Sequence, residues 1–316
     1  MSSTRHTPSP KHRTINTHAM NKIDGINAHV PDKNWLTKAK SLGISWVRID
    51  LNWNAIEPRN GSFNFGQIDT AVNEAKRLGL RVYASMAYTP SWINSDYRAT
   101  PTVSHWTRFV TKVAQRYGGK IDVYGLWNEP NLKQFYHGTM SEYRDVIMKP
   151  GYAAIKAVNL NLVVAAGELA STSNSDWPEW CNMLYKNHMH FDVVGFHTYQ
   201  DNASAVVNRF TMGKAWIFGW LIPYYRPYNF YLGKLRDKGK RIFLSEVGWE
   251  AKQSSSKEQK RQKKYILDLM KHKKSLKVEA VFIYDLHDHP NALDHPWGVF
   301  NTDGSPKQAA AALMAG

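Results

Sequence analysis

The sequence predicts one α/β domain with the architecture of a (β/α)8 barrel, also called a TIM barrel. Apolar runs of strand length recur at spacings of about 25 to 45 residues, and segments with helical periodicity separate them. No linker, low-complexity tract or short repeat interrupts the chain after residue 21. The chain has 316 residues, which suffices for eight strand–helix units, since such barrels typically need about 250 residues.

The eight predicted strands are nearly continuous apolar runs, which is typical of parallel strands covered by helices. They are Asp24–Val30, Ile44–Asp50, Arg81–Ala87, Ile121–Trp127, Asn161–Ala166, Asp192–His197, Arg241–Glu246 and Glu279–Asp285. The clearest predicted helix is Val103–Tyr117, and a basic helix covers residues 257–277 after the serines at 254–256. The alternative, a doubly wound open sheet, is disfavoured because no glycine-rich phosphate loop follows the first strand.

We expect a flexible basic arm over residues 1–21 and a single folded domain over residues 22–316. The arm lacks an apolar signal core, so the sequence leaves the compartment open: cytoplasmic, or extracellular or periplasmic for a chain whose signal peptide was removed. The longest apolar stretch, residues 215–222, is too short for a membrane span of about 20 residues. Cys181 is the only cysteine, which excludes an internal disulfide.

The chain is strongly basic, with 41 Lys+Arg against 26 Asp+Glu and a formal charge of +15. Ten of the basic residues lie between Lys252 and Lys277. This run is either one solvated helix face or a surface that attracts an anionic polymer. We expect no nucleic-acid partner, because no recognised nucleic-acid-binding motif accompanies the charge.

Two carboxylates end apolar strands in opposite halves of the chain. Glu129 follows the apolar run of residues 123–127, and Glu246 follows that of residues 242–245. Functional groups of a barrel sit at the C-terminal ends of its strands, so both should face one cleft. Glycosidic cleavage needs such a pair, one carboxyl protonated to donate to the leaving oxygen and the other ionised to attack. From spacing alone, structural ion pairs on the barrel rim are an equal alternative.

The motifs around both residues resemble those of clan A retaining glycoside hydrolases. Residues 124–131, YGLWNEPN, are similar to the strand-four signature with its Asn-Glu pair, and residues 243–249, FLSEVGW, are similar to the strand-seven signature. Further similarities occur at residues 45–53, 56–58, 64–65, 89–92, 195–199 and 298–309. The resemblance covers about residues 24 to 314 and is nearest to family 39 and its cellulase-like relatives, with family 5 next.

This resemblance implies roles for the matching residues. Glu129 would be the general acid and then the general base, and Glu246 the nucleophile that forms a covalent glycosyl-enzyme. Asn128 would hold the 2-hydroxyl of the sugar in the cleavage subsite. The resemblance also implies retention of configuration, with the two carboxylates about 5 Å apart.

Further substrate contacts follow from the same resemblance. Arg48 and Tyr199 would bond the nucleophile and keep it ionised, while His197 would contact the substrate or orient the acid. Many relatives have a Trp floor at the end of strand eight, where this chain reads IYDLHDHP over residues 283–290. Tyr284 or Trp297 would take its place.

Other polar residues at predicted strand ends have no assigned catalytic role. For Glu168 and Asp285 we expect rim or substrate contacts; His29, Asp50 and Tyr88 end strands without an assignment. Histidines and acids also cluster at positions 188, 190, 287–289, 294 and 295. These lack helical His-x-x-x-His or Cys spacing, so we expect no metal and no other cofactor. The aromatic segment of residues 216–231 either packs as the sixth helix or stacks on sugars.

The sequence therefore predicts a monomeric retaining glycoside hydrolase that acts, in endo mode, on a β-linked oligo- or polysaccharide, possibly an anionic one. An exo-acting β-xylosidase or β-glucosidase is the alternative within the clan. A non-catalytic glycan-binding barrel is the alternative from another class, disfavoured because both glutamates are present.

Overall fold

The computed structural model describes residues 23–171, 176–186, 189–211, 228–290 and 295–315 and contains a closed eight-stranded barrel. Every strand pairs in parallel with its neighbours in sequence, and the last strand pairs with the first. The strands are β1 Gly25–Asn27, β2 Trp46–Asn52, β3 Arg81–Ala87, β4 Val123–Leu126, β5 Val164–Ser171, β6 Val193–Thr198, β7 Arg241–Val247 and β8 Ala280–Ile283.

Helices follow the strands and form the outer layer. They are α1 Lys33–Ser41, α2 Trp53–Ile56, α3 Gly66–Arg77, α4 Val103–Tyr117, α5 Met140–Glu142, α6 Lys149–Val158, α7 Trp177–Lys186, α8 Ala203–Thr211, α9 Tyr228–Asp237, α10 Ser256–Lys271, α11 Lys273–Leu276 and α12 Gln308–Met314. A π-helical turn, Tyr143–Met148, leads into α6. The predicted barrel is therefore confirmed. Within the described ranges, no helix is both long and apolar enough to cross a membrane.

The local sequence explains where α4 and α10, the two helices predicted by name, begin. Thr102 caps α4 by accepting from the His105 amide, and the predicted apolar stripe of α4 is fully buried. Ser255 caps α10 by accepting from the Glu258 amide, while its lysines point outward. The predicted arm of residues 1–21 and residues 216–227 of the aromatic segment lie outside the described residues; residues 228–231 belong to α9.

One strand boundary was wrong in a way that matters for the site. The fifth strand was predicted to end at Ala166, but β5 continues to Ser171. The pairing of β5 with β6 shifts register between Ala166 and Leu169, and Gly167 and Glu168 both have positive φ angles of 77° and 37°. This bulge turns Glu168 into the barrel instead of leaving it beyond a strand end.

The barrel interior is filled in layers. At the amino-terminal end an apolar layer contains Trp46, Tyr83, Val123, Ala165, Val193, Phe243, Ala280 and Phe282. Two residues further along β2, on the same face, lies Arg48, and Asp50 follows at the mouth. The middle of the barrel is thus polar, between a sealed apolar floor and an open mouth.

Two glycines make room for the polar middle layer. A Cβ on Gly125 in β4 would lie 2.6 Å from a Glu168 carboxylate oxygen, and one on Gly195 in β6 would lie 2.8 Å from Glu168 Cγ. Only the absence of a side chain on both neighbouring strands lets the Glu168 side chain occupy the interior.

The apolar floor should dominate the stability of the barrel. We predict that Phe243→Ala lowers the free energy of unfolding by about 3–5 kcal/mol, because Phe243 is fully buried and its removal leaves a cavity. Leu160→Ala is the control, since Leu160 is 78% exposed and should change stability by less than about 0.5 kcal/mol. Chemical denaturation of both variants checks this, and equal effects would contradict it.

Candidate active site

A cleft of about 510 Å³ opens at the C-terminal ends of the strands. This is where the functional groups of such barrels lie. Its lining residues are His29, Arg48, Asp50, Leu51, Asn52, Ser85, Ala87, Tyr88, Asn128, Glu129, Phe135, Glu246 and Tyr284. Five of the eight predicted site residues therefore line the cleft: Arg48, Asn128, Glu129, Glu246 and Tyr284.

The structure brings Glu129 and Glu246 together at the base of the cleft. Both are buried, with 6% and 7% of their surfaces exposed. A carboxylate oxygen of each lies within 4.8 Å of the other and of a ring nitrogen of His197. The two carboxyl groups are therefore close enough to act on one bond from two sides.

Glu129 sits on an unusual stretch of backbone just after β4. Trp127 and Glu129 have positive φ angles of 77° and 42°, a conformation that costs energy for residues with a side chain. His197 Nδ1 lies 2.7 Å from Glu129 Oε1. Burial raises the pKa of Glu129 to about 8, since the opposing effect of Arg48 is smaller. This carboxyl is consequently protonated at neutral pH.

Glu246, near the end of β7, has two hydrogen-bond donors that Glu129 lacks. The Tyr199 hydroxyl donates to Glu246 Oε2 at 2.6 Å, and Arg48 Nη1 lies 3.0 Å from Oε1. Burial raises the pKa of Glu246, and His197 and Arg48 oppose that rise. Burial also raises the pKa of Tyr199, which keeps its hydroxyl a donor. These contacts favour the ionised form of Glu246 over that of Glu129.

Arg48 is the centre of a buried network. It is 3% exposed, and it donates to Asn27 Oδ1 at 2.8 Å, to Asn128 Oδ1 at 2.9 Å and to Glu168 Oε2. Together with the contact to Glu246, these bonds connect β2 to residues on or just after β1, β4, β5 and β7. The guanidinium therefore positions Asn128 and Glu246 relative to each other.

Glu168 corrects a prediction. We expected a rim or substrate contact, but Glu168 is fully buried and bonds Arg48 and the Ser85 hydroxyl, the latter at 2.9 Å. The bulge in β5, which the sequence pattern did not reveal, is the reason. Asp285 is likewise buried, with 1% of its surface exposed, and it lies against His29 and His289 rather than on an open rim.

The remaining predicted contacts divide into those that face the cleft and those behind it. Tyr284 lines the cleft, whereas Trp297 packs edge-on against the Tyr199 ring at 4.9 Å between centroids. His197 is fully buried and touches both catalytic candidates, 2.7 Å from Glu129 and 3.4 Å from Glu246. Of its two predicted roles, orientation of the acid fits this position.

Sequence reasoning gave no role to three residues of the cleft wall. His29 Nδ1 lies 2.7 Å from Asp50 Oδ2, and Tyr88 lies beside them in the lining. All three end strands, and that position was the available signal. His29 and Tyr88 also adopt positive φ angles of 53° and 77°, which the sequence did not show.

Two groups of side chains could hold a metal ion within the described part of the chain: Glu129 with His197 and Glu246, and His29 with Asp285 and His289. The predicted histidine cluster after the last strand is only partly assembled. Asp288 instead binds the buried Lys307 amine at 2.7 Å, and His295 pairs with Glu250 at 2.8 Å. Positions 188 and 294 lie outside the described residues.

Comparison with known families gives a match over most of the chain. The family model described as cellulase, glycosyl hydrolase family 5, matches residues 5–286. The predicted resemblance to glycoside hydrolases is thereby confirmed. The family model matches the second of the two families expected from the motifs.

The individual curated relatives match shorter parts of the chain than the family model does. A β-xylosidase of Caldicellulosiruptor saccharolyticus is 29% identical over 158 residues, which are 44% of this chain and 31% of that enzyme. An endo-1,4-β-xylanase B of Neocallimastix patriciarum is 30% identical over 105 residues, 31% of this chain and 12% of that enzyme. The chain thus spans about a third or less of the length of these curated relatives.

A solved structure shares the fold. A family 39 glycoside hydrolase from the gut symbiont Bacteroides cellulosilyticus WH2 superposes with a TM-score of 0.72 at 19% identity. The superposition covers 94% of this chain and 63% of that chain. At this identity the similarity supports the barrel fold alone.

The raised pKa of Glu129 makes stability depend on pH in a defined direction. The folded state holds this proton more tightly than the unfolded state, whose ordinary value is 4.5. Protonated Glu129 therefore makes its full contribution to the free energy of unfolding below about pH 4.5. That contribution is lost as the pH rises through about 8. We predict that Glu129→Gln, which stays neutral, gains in melting temperature relative to the wild type between pH 5 and pH 9. Parallel melting curves for the two proteins across this range would contradict the assignment.

The stability of the fold should depend on the buried ion pair between Arg48 and Glu168. We predict that Glu168→Gln lowers the free energy of unfolding by about 3–5 kcal/mol, because the Arg48 charge loses a buried partner. The control is Asp268→Asn on α10, whose lysine partners are 65% and 68% exposed. That change should cost about 0–1 kcal/mol. Urea titration measures both, and a small effect of Glu168→Gln would show that Arg48 is balanced without it.

Proposed function

Because the chain belongs to the cellulase family, glycosyl hydrolase family 5, it is a glycoside hydrolase, and we propose that it cleaves β-glycosidic bonds by double displacement with retention of configuration. The observation that carries this proposal is the separation of Glu129 and Glu246, whose nearest oxygens lie within 4.8 Å of each other. Retaining enzymes hold their two carboxyl groups about 5–5.5 Å apart, whereas inverting enzymes leave about 6.5–9.5 Å for a water.

In the first step Glu129 donates its proton to the glycosidic oxygen as the bond to the anomeric carbon breaks. Its pKa of about 8 supplies the proton at neutral pH. Glu246, ionised beside Arg48 and the Tyr199 hydroxyl, attacks the anomeric carbon from the opposite face. A glycosyl-enzyme ester forms, and the leaving sugar departs as an alcohol.

In the second step the same groups work in reverse. Glu129, now a carboxylate, takes a proton from the incoming water, whose oxygen attacks the anomeric carbon and releases Glu246. His197, 2.7 Å from Glu129, holds the acid in place during both steps. The net reaction consumes one water and returns Glu129 to its protonated form.

Asn128 and Tyr284 are the proposed contacts of the sugar in the cleavage subsite. Asn128 Oδ1 accepts from Arg48 at 2.9 Å, so the amide NH₂, which also faces the Tyr88 hydroxyl, has an N–H that can donate to a sugar 2-hydroxyl. That hydrogen bond should strengthen in the transition state. Tyr284 lines the cleft and packs edge-on against Tyr199, so it supplies the aromatic floor.

For the substrate we propose a neutral β-linked polysaccharide of the xylan type, cut within the chain. Similarity to a β-xylosidase and to an endo-xylanase supports the sugar class. An aromatic track supports the internal mode: Tyr88 in the cleft wall contacts Tyr97, which is 46% exposed and could stack on a further sugar. The β-xylosidase similarity keeps exo cleavage as the second candidate.

Charge inside the cleft favours an uncharged sugar at the point of cleavage. Arg48 is offset by Glu168 and Glu246, and His29 is offset by Asp50 and Asp285. Lysine is not among the lining residues that the structure describes. The basic surface of α10 therefore serves, at most, to attract an anionic polymer or envelope from outside the cleft.

The decisive experiment is a product profile on xylans, β-glucans, mannans and acidic polysaccharides. We predict that the wild type releases oligosaccharides from a xylan and that Glu246→Ala does not. Glu129→Ala should lower kcat/KM on the polymer by about 10²–10⁴-fold. The loss of kcat/KM in Glu129→Ala should be smaller on an aryl glycoside whose leaving group needs no proton. Glu179→Ala, an exposed glutamate on α7, is the matched control and should behave as the wild type.

Each result separates the alternatives. Release of monosaccharide alone would replace the endo mode with exo cleavage. Polymer binding without cleavage, unchanged in Glu246→Ala, would indicate a glycan-binding barrel. Cleavage that survives Glu246→Ala would remove this residue from the mechanism.

A further inference from the structure

Three side chains meet at a single point on the β1–β8 side of the cleft. His29 Nε2 lies 3.1 Å from Asp285 Oδ2, and His289 Nε2 lies 2.9 Å from the same oxygen. The three ligand atoms all lie within 4.8 Å of one another. Two imidazole nitrogens and one carboxylate oxygen would supply three of the four ligands of a tetrahedral ion.

The spacing suits a tetrahedral ion. Metal–nitrogen and metal–oxygen bonds of about 2.0–2.1 Å place neighbouring ligand atoms of a tetrahedron roughly 3.3 Å apart. The two distances of 3.1 and 2.9 Å fall slightly short of this, as they should when hydrogen bonds hold the atoms. A small outward movement of both histidine rings would admit an ion.

The surroundings of His29 and Asp285 resemble those of metal ligands. His29 Nδ1 lies 2.7 Å from Asp50 Oδ2, so a carboxylate holds the far side of the ring. Metal-binding histidines usually have such a partner, which fixes the ring and its tautomer. Asp285 is 2% exposed at its side chain, and its other oxygen accepts from the Leu286 amide. Its orientation is therefore fixed before any ion arrives.

We propose that His29, Asp285 and His289 form a binding site for a zinc-class divalent metal ion, with the fourth coordination position open to the cleft. Two imidazole nitrogens and one carboxylate suit zinc and its first-row neighbours, whereas magnesium and calcium prefer oxygen ligands. The side chains of His29 and His289 are 30% and 37% exposed, so an ion can enter from solvent. His29 also lines the cleft, which puts the open position within reach of a bound glycan.

This site is distinct from the pair of glutamates and does not depend on the proposed hydrolysis. It departs from the sequence-based expectation of no metal, which considered the histidines after the last strand and those at positions 188 and 190 but not His29. His29 follows β1, far from Asp285 in sequence. The two residues become neighbours because the barrel closes between β1 and β8.

The test is isothermal titration of the full, tag-free chain with ZnCl₂ after removal of bound metal by a chelator. We expect one zinc per chain at this site and no binding of MgCl₂. His289→Ala should weaken zinc binding by at least about 10-fold, and Asp50→Asn should weaken it by about 10–100-fold. His295→Ala is the matched control: its side chain is 72% exposed and pairs with Glu250, so zinc affinity should not change. Thermal melts without metal confirm that each variant is folded.

A fourth variant tests whether zinc binds instead at the other group of possible ligands, Glu129 with His197 and Glu246. Glu246→Gln removes a ligand from the Glu129–His197–Glu246 group and should leave zinc affinity unchanged. Zinc binding that is lost in Glu246→Gln but kept in His289→Ala would overturn the proposal, as would equal affinity in His289→Ala and His295→Ala. Absence of stoichiometric zinc binding to the wild type would also overturn it.

Discussion

A buried positive charge, the Arg48 guanidinium, is the constraint on which the rest of the structure depends. It stands in the barrel interior above a sealed apolar layer, where an unpaired charge would be very costly. Glu168 and Glu246 pair with the guanidinium, and Nη1 and Nη2 also donate to Asn27 and Asn128, whereas Nε has no hydrogen-bond partner among the described residues. Satisfying one cation therefore places the side chains that surround the proposed cleavage point.

The barrel backbone accommodates this network at three positions. Glu168 reaches Arg48 because β5 bulges at Gly167, and it fits because Gly125 and Gly195 on the flanking strands carry no side chain. Glu129, one residue after Asn128, escapes direct contact with the guanidinium and remains in a desolvated setting that raises its pKa. Two carboxyl groups of the same type thus have different surroundings, since Glu246 faces the donors Arg48 and Tyr199 and Glu129 does not.

Much of this could be predicted from the sequence. The eight strands, α4 and α10 follow from apolar periodicity, and Glu129, Glu246, Arg48 and Tyr199 follow from motifs at strand ends. Features that depend on closure or on local backbone could not be predicted. The β5 bulge leaves no mark on an apolar run, so Glu168 was expected on the rim. His29 and Asp285 are 256 positions apart and meet only because β1 pairs with β8.

The central claim, that Glu246 becomes covalently glycosylated, can be tested directly by trapping. A 2-deoxy-2-fluoro-β-xyloside with a good leaving group slows both steps, and hydrolysis of the ester is slowed enough for it to accumulate. We predict that the intact mass rises by one fluoro-sugar and that peptide mapping places the label on Glu246. A label on another residue, or turnover of substrate with inverted configuration and no labelled protein, would contradict it.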